Sequence, residues 1–599
     1  MASDGELDGL VQTWLKWDQN EKTKAEVTEL VQKKDTARLR AIMCGRLAFG
    51  TAGMRAEMAA GFNRLNDLVI IQTTQGMVRH MQKTCPNLKD RGVIVGFDAR
   101  HNSERFAKLV ANIFLRADVK VYLFSKIVPT PFVSYGVVQC GCDAGIMITA
   151  SHNPGPDNGY KVYWSNGAQI LSPHDKAICE EAAKVLEPWA GSWDTSFVDT
   201  ASLKVDPLPF IIQRYWEDAK QFSHYRDISA KSPLKLTYTA FHGVGYYYTP
   251  RLLEEVFGFR KDSIVFVQEQ VLPDPNFPTV KFPNPEEGAP VLALSIKAAN
   301  AANSTLILAN DPDADRLQIA ERQPDGVWRI FTGNEMGGLL AWWQWNNWRL
   351  KNPNGDASNI HMVNSAVSSK IVQSIAKKEG FNYEETLTGF KWMANRTEEL
   401  RRQGKTVLLA WEESIGYMPG NTLDKDGVLS AALFAEYAAY LNSKGSNLAG
   451  QLEFLYKTYG YHLGRNSYFI NYDQAVTDRI FTRIRNFEGD GKYPSKIHTY
   501  SIKYIRDLTT GYDNSQPDNK PILPVSKSTH MVTFTLDTGS TVTLRTSGTE
   551  PKIKYYIEVI TDPQSGTSSE DALKQLQSLV DYTIREFLQP EQNNLKWKE

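Results

Sequence analysis

The chain has 599 residues, in which 67 Lys and Arg nearly balance 68 Asp and Glu to leave a net charge of -1. Because one domain usually has about 100–200 residues, this length predicts several domains. The balanced charge provides no general attraction to nucleic acid or to an anionic membrane, so neither is expected as a partner. Hydrophobic residues at 42% and aromatic residues at 11% are typical of a folded globular protein.

The five cysteines are sparse and odd in number, which argues against a disulfide framework. Cys140 and Cys142 form a C-x-C pair, but no second pair follows at metal-ligand spacing, so no zinc site is predicted. The sequence begins with acidic residues where a signal peptide needs basic ones, and no run reaches the ~18 apolar residues of a membrane span. We therefore expect a cytoplasmic protein that does not cross a membrane.

In chain order, the first predicted element is an N-terminal helix, because Leu7, Leu10, Val11 and Trp14 recur at helical spacing. Short apolar runs then alternate with amphipathic segments, which predicts β-α-β units with parallel strands. The predicted strands are 93–97, 119–124, 144–148, 234–239, 305–309 and 406–410. Segments rich in proline and polar residues place domain boundaries near residues 205, 326 and 460.

The C-terminal region has a different pattern, with a predicted hairpin turn at 537–539 between two strands. The strands are predicted at 531–536, 540–544 and 553–560. A helix follows the capping pattern at 568–571 and is expected to bury one stripe of side chains, namely Leu573, Leu576, Val580, Ile584 and Phe587. This region is predicted to be a separate α+β module.

Ser151 is the first candidate for chemistry, because the segment AGIMITASHNPGPDNGYKVYW places it between an apolar strand and a loop rich in proline and glycine. A serine at the carboxyl end of a parallel strand lies where α/β sheets bind ligands, and it suits a nucleophile or a phosphate carrier. His152 and Lys161 could orient the loop, stabilise phosphate charge or transfer a proton. The alternative is a turn in which these residues serve backbone geometry alone.

A second signal is TLILANDPDADRL, in which Asp311, Asp313 and Asp315 follow an apolar strand at every second residue. Three such carboxylates can converge on one hard cation, and oxygen ligands favour Mg²⁺ or Ca²⁺ over zinc. A phosphate on Ser151 could complete the ligand set, and Arg316 adds positive charge beside it. The alternative is an acidic, solvated turn.

The same aspartates permit a rival interpretation. Haloacid dehalogenase-type enzymes also place D-x-D after an apolar strand and use the first Asp as nucleophile, which here would be Asp311. That class expects Thr or Val soon after the second Asp, whereas this chain has Ala314 and Asp315. The rival interpretation also leaves Ser151 without a role.

Two further segments are candidates for binding a sugar. ETLTGFKWM is predicted to expose Gly389 and Lys391 between helices, and AWEESIGYM places Glu412 and Ser414 at a strand end. A carboxylate and a hydroxyl suit sugar hydroxyls, and a lysine suits a phosphate. Solvated surface residues are the alternative for both segments.

The last candidate is TLRTSGTEPKIKYY, which is predicted to form a loop between two strands. A guanidinium, two hydroxyls and backbone N–H groups would make an anion site that needs no metal. Its residues are Arg545, Ser547, Gly548 and Thr549. A plain hairpin turn is the alternative.

Together these motifs resemble the α-D-phosphohexomutases nearly from end to end. The resemblance is carried by FGTAGMR at 49–55, TASHNP at 149–154, DPDADR at 311–316, the GFKWM and EES segments and RTSGTEPK at 545–552. It implies an α/β protein of four domains around a central cleft, three of them similar α/β modules and the fourth an α+β phosphate-binding domain. The expected domains are 1–205 with a phosphoserine loop, 206–326 with a metal-binding loop, 327–460 with sugar-binding loops and 461–599.

The resemblance also implies residue roles. Ser151 would carry the phosphoryl group and hold Mg²⁺ together with the three aspartates, while His152, Lys161 and Arg316 would assist catalysis. Substrate would be bound by a set of residues from four segments, namely Arg55, Gly389, Lys391, Glu412, Ser414, Arg545, Ser547, Gly548 and Thr549.

The implied activity is a phosphosugar mutase, in which the phosphoserine forms a sugar bisphosphate that turns and returns its other phosphate. Four segments most resemble the branch that acts on pentoses, namely the FGTAGMR opening, the SHNPGPDNGYKVYW loop, TGFKWM and RDLTTGYD at 506–513. We therefore expect conversion of (deoxy)ribose 1-phosphate to the 5-phosphate, glucose 1-phosphate as a secondary substrate, and glucose 1,6-bisphosphate as the priming activator. Small sugar phosphates are the expected partners, and the chain is expected to be a monomer or weak oligomer.

Two alternatives remain open on the sequence. The first is a glucose 1,6-bisphosphate synthase that uses 1,3-bisphosphoglycerate, because its motifs are the same. The second is a sugar-phosphate-binding protein that has lost catalysis, which predicts loss of Ser151 or of the aspartates, and all of them are present.

Overall fold

The protein is described by a computed structural model that covers residues 3–47, 49, 53–548 and 550–597. The chain groups into two compact units. The first unit contains Met1–Pro353 and Gly389–Ala449, and the second contains Asn354–Thr388 and Gly450–Glu599. Within the described part of the chain, no helix is both long and apolar enough to cross a membrane.

The first unit begins with a small helical layer made of α1 (Asp4–Trp17), α2 (Glu21–Gln32) and α3 (Thr36–Met43). The predicted N-terminal helix is confirmed, because α1 buries Leu7, Val11 and Trp14 in a core shared with the other two helices. A capping box between Ser3 and Glu6 begins α1.

A six-stranded sheet with order β1-β5-β4-β2-β3-β6 follows. Its elements are β1 (Gly53–Glu57), α4 (Asp67–Thr84), α5 (Leu88–Arg91), β2 (Val93–Phe97), α6 (Ser103–Arg116), β3 (Val121–Leu123), α7 (Thr130–Cys140), β4 (Ala144–Ile148), β5 (Asp157–Trp164), α8 (His174–Ala183), α9 (Phe197–Thr200) and β6 (Lys204–Val205). β4 pairs in parallel with β2 and antiparallel with β5. The predicted strands at 93–97 and 144–148 are confirmed, and both are buried on each face as central parallel strands usually are.

The next sheet has five strands in the order β11-β10-β9-β7-β8. Its region contains α10 (Leu208–Ala219), α11 (Arg226–Lys231), β7 (Leu236–Thr239), α12 (Thr249–Glu255), β8 (Ile264–Phe266), α13 (Ala289–Ala302), β9 (Leu306–Asn310), β10 (Leu317–Arg322) and β11 (Trp328–Ile330). β9 is parallel to β7 but antiparallel to β10, so the segment 311–316 is a tight connection between two antiparallel strands.

The third α/β region is divided between the two units. The first unit holds α14 (Gly333–Lys351), α16 (Phe390–Arg402), the antiparallel pair β14 (Thr406–Glu412) and β15 (Gly416–Met418), and α17 (Gly427–Ser443). The second unit holds the parallel pair β12 (Ile360–Ser365) and β13 (Asn382–Thr386), with α15 (Ile371–Glu379) between them. Helix α18 (Leu448–Tyr459) spans the division.

The rest of the second unit is an eight-stranded sheet, with strands β17-β18-β20-β21-β22-β16-β23 in order and β19 paired to β18. Its elements are β16 (His462–Ile470), α19 (Gln474–Arg485), β17 (Lys496–Ile497), β18 (Tyr500–Asp507), β19 (Tyr512–Asp513), β20 (Met531–Leu536), β21 (Thr541–Thr546), β22 (Lys552–Ile560), α20 (Ser569–Thr583) and β23 (Lys596–Trp597). The predicted α+β character and the hairpin between β20 and β21 are confirmed.

The C-terminal helix also begins where predicted, because the Ser568 side chain accepts a hydrogen bond from the Asp571 N–H. The prediction for Leu573 is wrong, since this side chain is 52% exposed while Leu576 and Val580 are buried. A leucine can satisfy the helical period and still lie at the edge of the apolar stripe, beyond the sheet that covers its neighbours.

Candidate active site

Ser151 lies just beyond the end of β4 and is almost completely buried, with 2% of its surface exposed. Its φ of 53° is in the left-handed region, which L-residues with a Cβ rarely adopt. Ser151 Oγ donates to Asp311 Oδ2 at 2.8 Å and lies 3.2 Å from His152 Nδ1. The protein therefore holds this hydroxyl against a carboxylate and an imidazole.

Asp311, Asp313 and Asp315 converge in the connection between β9 and β10. Each offers a carboxylate oxygen within 4.8 Å of the others, and the three side chains are buried. Burial, together with the charges of Asp313 and Asp315, raises the pKa of Asp311 well above its usual range. The solvated acidic turn considered as an alternative is therefore wrong for this segment.

Two lysines neutralise part of this negative charge. Lys161 Nζ lies 2.7 Å from Asp313 Oδ2 and 3.1 Å from Asp315 Oδ2, and Lys425 Nζ lies 3.3 Å from Asp315 Oδ2. Burial alone would lower the pKa of each lysine, but the carboxylates outweigh it and the pKa values are raised. Burial would raise the pKa values of Asp313 and Asp315, but neighbouring groups outweigh it and both values are lowered. For both aspartates the Lys161 charge is the largest lowering cause.

The aspartate cluster fits a bound cation. Asp313 Oδ1 and Asp315 Oδ1 are buried oxygens that have no hydrogen-bond partner among the residues the structure describes, although buried polar atoms in native proteins nearly always have one. The Ser151 hydroxyl is directed at the third member of the cluster, Asp311. Carboxylate and hydroxyl oxygens are the ligands that hard divalent cations prefer, so this donor set suits a metal ion of the Mg²⁺ or Ca²⁺ type.

Arg316 connects the aspartate cluster to the predicted sugar-binding segment. Its backbone N–H donates to Asp311 Oδ1 at 2.9 Å, and its Nη1 donates to the Ser414 carbonyl at 3.2 Å. Glu412, at the end of β14, accepts from the Gly389 N–H and from the Ser414 hydroxyl, each at 3.1 Å. The structure therefore brings Gly389, Glu412 and Ser414 together, and Arg316 contacts them through the Ser414 carbonyl.

Lys391 lies at another position than the sequence suggested, and Arg55 lies in a strand. Gly389, at φ 102°, is the N-cap of α16, so Lys391 is inside a helix and not exposed between helices, which corrects that prediction. Lys391 is half-buried, and burial lowers its pKa. Arg55, in β1, has an exposed side chain that donates to Asn153 Oδ1 at 2.7 Å and so contacts the loop that carries Ser151.

The predicted C-terminal anion loop lies in the second unit. Arg545 is in β21 and not in the loop, which corrects the prediction, and its Nη1 donates to Thr388 Oγ1 at 2.5 Å. Ser547 begins the loop, where its N–H donates to the Lys552 carbonyl at 2.9 Å, and Gly548 is exposed. Thr549 lies outside the described residues, as do Gly50, Thr51 and Ala52 of the opening FGTAGMR motif.

Sequence reasoning missed several residues of this site. Lys425 lies in a segment, 423–427, whose acids and glycine signal only a turn. Thr130 donates its hydroxyl to Asp313 Oδ2 at 2.6 Å, yet nothing in its local sequence indicates chemistry. Asp98 and Arg100, which contact the Ser151 loop, directly follow the buried strand β2, and that strand-end position is a signal that could have found them.

The chain matches known proteins over its whole length. The phosphoglucomutase/phosphomannomutase α/β/α domains I, II and III match residues 46–188, 213–326 and 332–459. Glucose 1,6-bisphosphate synthase of Homo sapiens is 49% identical over 100% of this chain and 97% of its own length, and human phosphopentomutase is 48% identical over 100% and 98%. Phosphoribomutase of Saccharomyces cerevisiae is 38% identical over 94% of each chain. The chain therefore belongs to the phosphoglucomutase/phosphomannomutase family, that is, to the α-D-phosphohexomutases.

Solved structures agree with this fold. The open form of parafusin, a phosphoglucomutase from Paramecium, has a TM-score of 0.67 at 19% identity and covers 92% of this chain and 96% of its own. A family protein from Burkholderia thailandensis has a TM-score of 0.61 at 17% identity, with coverage of 91% and 98%. Three α/β/α domains and a fourth, sheet-rich C-terminal domain are thus shared, and the haloacid dehalogenase interpretation of Asp311 is wrong for this family.

Proposed function

We propose that the protein is a phosphosugar mutase in which Ser151 carries the transferable phosphoryl group. The carrying observation is the position of Ser151 Oγ, which lies 2.8 Å from Asp311 Oδ2. It adjoins a buried cluster in which Asp313 Oδ1 and Asp315 Oδ1 accept no hydrogen bond from the described part of the chain. A cation site beside a nucleophilic hydroxyl supplies what phosphoryl transfer needs, because this chemistry depends mainly on positioning and on neutralising negative charge.

In the proposed reaction, a hydroxyl of the sugar monophosphate attacks the phosphorus on Ser151. A new O–P bond forms, the Ser151 Oγ–P bond breaks, and the proton of the attacking hydroxyl passes to a base. The sugar bisphosphate then presents its other phosphate. The O–P bond between the sugar and this phosphate breaks as the Ser151 Oγ–P bond forms again, and a proton returns to the released sugar oxygen. His152 is proposed for proton transfer because its Nδ1 lies 3.2 Å from Ser151 Oγ.

Cations of the chain surround the transfer position. Lys161 and Lys425 are bound to the aspartates, and Arg316 adjoins them, so all three can offset charge on a phosphoryl group without leaving their present contacts. Mg²⁺ held by Asp311, Asp313, Asp315 and an oxygen on Ser151 would supply further neutralisation of the transferring group.

The remaining contacts are proposed to bind the substrate. Glu412 would accept hydrogen bonds from sugar hydroxyls, and Ser414 would donate to them. The Gly389 N–H already orients Glu412, and Arg316 holds the backbone of Ser414. Arg55 and Lys391 would contact phosphate oxygens. Arg545, Ser547, Gly548 and Thr549 would hold the phosphate that is not being transferred.

For the substrate, we propose (deoxy)ribose 1-phosphate with conversion to the 5-phosphate, and glucose 1-phosphate as a weaker substrate. Relatives named phosphopentomutase and phosphoribomutase, at 48% and 38% identity, support a pentose. Glucose 1,6-bisphosphate would prime Ser151. Because glucose 1,6-bisphosphate synthase of Homo sapiens is 49% identical, synthesis of that bisphosphate from 1,3-bisphosphoglycerate is the second candidate function.

For the location, we propose the cytoplasm. Five free cysteines are consistent with a protein that acts in this reducing compartment.

The test compares wild type, Ser151→Ala and the control Ser165→Ala, which changes an exposed serine of the same domain. Each is assayed on ribose 1-phosphate and glucose 1-phosphate with Mg²⁺ and catalytic glucose 1,6-bisphosphate, and Ser151 phosphorylation is followed by mass spectrometry. We expect Ser151→Ala to lose about 10⁴-fold or more of the turnover and to take up no phosphate, while Ser165→Ala matches wild type. Full turnover in Ser151→Ala would sink the proposal, and net bisphosphate formation from 1,3-bisphosphoglycerate would favour the synthase.

A further inference from the structure

A buried arginine holds the loop that carries Ser151. The Arg100 guanidinium donates to four backbone carbonyls, at 2.6 Å to Ser151, 2.5 Å to Asn153, 2.8 Å to Pro154 and 3.1 Å to Asp157. Its side chain is 1% exposed. One planar group with several fixed donors can bind a loop from the inside in this way, whereas a lysine, with one ammonium, cannot reach the same set of acceptors.

A second contact acts on the nucleophile's own backbone. Thr149 Oγ1 accepts from the Ser151 N–H at 2.9 Å and donates to Asp98 Oδ2 at 2.6 Å. Asp98 Oδ1 in turn accepts from the Arg100 N–H at 3.0 Å and from the Ser103 hydroxyl at 2.6 Å. Both ends of the Ser151 peptide, its N–H and its carbonyl, are therefore tied to one buried cluster.

The cluster explains how Ser151 keeps an unfavourable backbone conformation. A left-handed φ is strained for an L-residue with a Cβ, and such residues persist where the surrounding structure holds them in place. We call the cluster of Asp98, Arg100 and Thr149 the clamp. The Arg100 guanidinium also lies 4.9 Å from the centre of the Phe277 ring, so a residue of the next domain packs against the clamp. Loss of the clamp would let the loop relax toward an ordinary φ and move Oγ away from Asp311.

We propose that Asp98, Arg100 and Thr149 are positioning residues that hold Ser151 in its left-handed conformation and thereby direct Oγ at Asp311 and His152. This inference rests on the proposed function of Ser151 as the phosphoryl carrier. The three residues do not touch the transferring group. They act through the backbone of the loop, and their effect is on the geometry of transfer.

The sharpest variant is Thr149→Val, which keeps the shape of the side chain and removes the hydroxyl between Ser151 and Asp98. Thr149→Ser restores that hydroxyl and serves as the rescue. Arg100→Lys keeps the charge and removes most of the donors to the loop. Arg105→Lys is the matched control, because Arg105 pairs with Asp67 and has a half-exposed side chain.

Two measurements are made on each full-length variant. The first is the turnover of ribose 1-phosphate per mole of Ser151-phosphorylated protein, with kcat and KM separated. The second is amide hydrogen exchange of the peptide 149–158, which reports the clamp without any catalysis. Thermal unfolding is recorded in parallel, so that loss of folded protein is not mistaken for loss of positioning.

We expect Thr149→Val and Arg100→Lys to lower kcat about 10- to 100-fold with little change in KM, because small displacements of a reacting atom have effects of this size. Exchange of the 149–158 amides should accelerate at least about 10-fold, because one or two hydrogen bonds that stabilise the loop are lost. Thr149→Ser and Arg105→Lys should stay within about 3-fold of wild type, which is less than one such bond is worth.

Unchanged exchange in Thr149→Val and Arg100→Lys would overturn the clamp, whatever the turnover. Accelerated exchange with unchanged kcat per phosphoserine would overturn its catalytic consequence and leave the contacts as purely structural. Failure of the proposed function has a different signature, since wild type itself would then show neither turnover nor Ser151 phosphorylation. In that case the exchange measurement still decides whether the clamp exists.

Discussion

The loop that carries Ser151 and the loop that follows Arg545 are both assigned a role with phosphate, but the protein builds them differently. Ser151 is 2% exposed, has a left-handed φ and is tied through its backbone to Arg100 and Thr149. Gly548 is exposed and Ser547 is half-buried with a φ that is not positive, so Ser547 carries no comparable backbone strain.

This difference follows from the tasks proposed for the two loops. A covalent carrier must place one oxygen atom in line with a reacting phosphorus, and small displacements are costly there. A phosphate-binding loop needs only donors and positive charge near several equivalent oxygens, and it can adapt as ligand arrives. Rigidity is therefore concentrated at Ser151, and the C-terminal loop retains exposed groups for recognition.

The largest expected effect comes from the aspartate cluster beside the rigid loop. Asp313→Asn should lower kcat about 10³-fold, because it removes a charged ligand from a site that neutralises the transferring group. In wild type, Mg²⁺ at 100 times its Kd should raise the free energy of unfolding by about 2.7 kcal/mol, since it binds the folded state alone. This increase should be lost in Asp313→Asn. Thermal unfolding with Mg²⁺ or with a chelator, together with steady-state kinetics, measures both effects.

A suitable control is Asp325→Asn, because Asp325 is an exposed acid in the turn that follows β10 and accepts a hydrogen bond from the Val327 N–H. It should retain wild-type kinetics and the full Mg²⁺-dependent stabilisation. A stabilisation by Mg²⁺ that persists in Asp313→Asn would contradict the metal assignment of the cluster.

A smaller effect is expected at Arg545, which lies in β21 just before the C-terminal loop. Arg545→Ala should lower kcat/KM for ribose 1-phosphate about 10- to 100-fold, because one charge-assisted contact to phosphate contributes roughly 1.5–3 kcal/mol. The lost contact should appear mainly in KM. Once phosphorylated by excess glucose 1,6-bisphosphate, Ser151 should keep its phosphate as in wild type, and mass spectrometry reports this.

The control for Arg545→Ala is Arg465→Ala, since Arg465 is an exposed arginine of the same sheet, in β16, that pairs with Gln577. Its kinetics should be unchanged. If Arg545→Ala lost kcat at saturating substrate but kept KM, the distinction between a rigid carrier and an adaptable binding loop would fail.

Much of the fold could be predicted because its signals are local. The buried strands β2 and β4 are short apolar runs, and these runs predicted their positions. The helix after Ser568 begins at a capping pattern, which predicted its first residue. Leu573 shows the limit, because exposure depends on what packs against the helix and the helical period does not contain that information. Arg545 was placed in a loop for the same reason, since strand ends depend on pairing with a partner strand.

The site could be predicted where its residues lie close together in the sequence and their types indicate a reaction. Ser151, Asp311 and Arg316 lie in short motifs whose residue types indicate a phosphate carrier, a metal ligand and a cation. Lys425 and Thr130 do not, because they reach the aspartates from distant parts of the chain and only tertiary structure brings them there. The left-handed φ of Ser151 was equally hidden, since it is imposed by Arg100 and Thr149 and not by the serine itself.

The smallest predicted effect tests that strain directly through the free energy of unfolding. Glycine avoids the penalty of about 1–2 kcal/mol that a left-handed φ imposes on other residues. It also lowers the free energy of unfolding by about 0.5–1 kcal/mol, because glycine loses more backbone entropy on folding than alanine does. Ser151→Gly should therefore be more stable than Ser151→Ala by about 0.5–1 kcal/mol, as measured by denaturant unfolding. At Ser547, where φ is not positive, glycine should be no more stable than alanine. Equal stability of the two Ser151 variants would mean that the clamp orders the loop without holding strain, and the contrast between the two loops would then rest on burial alone.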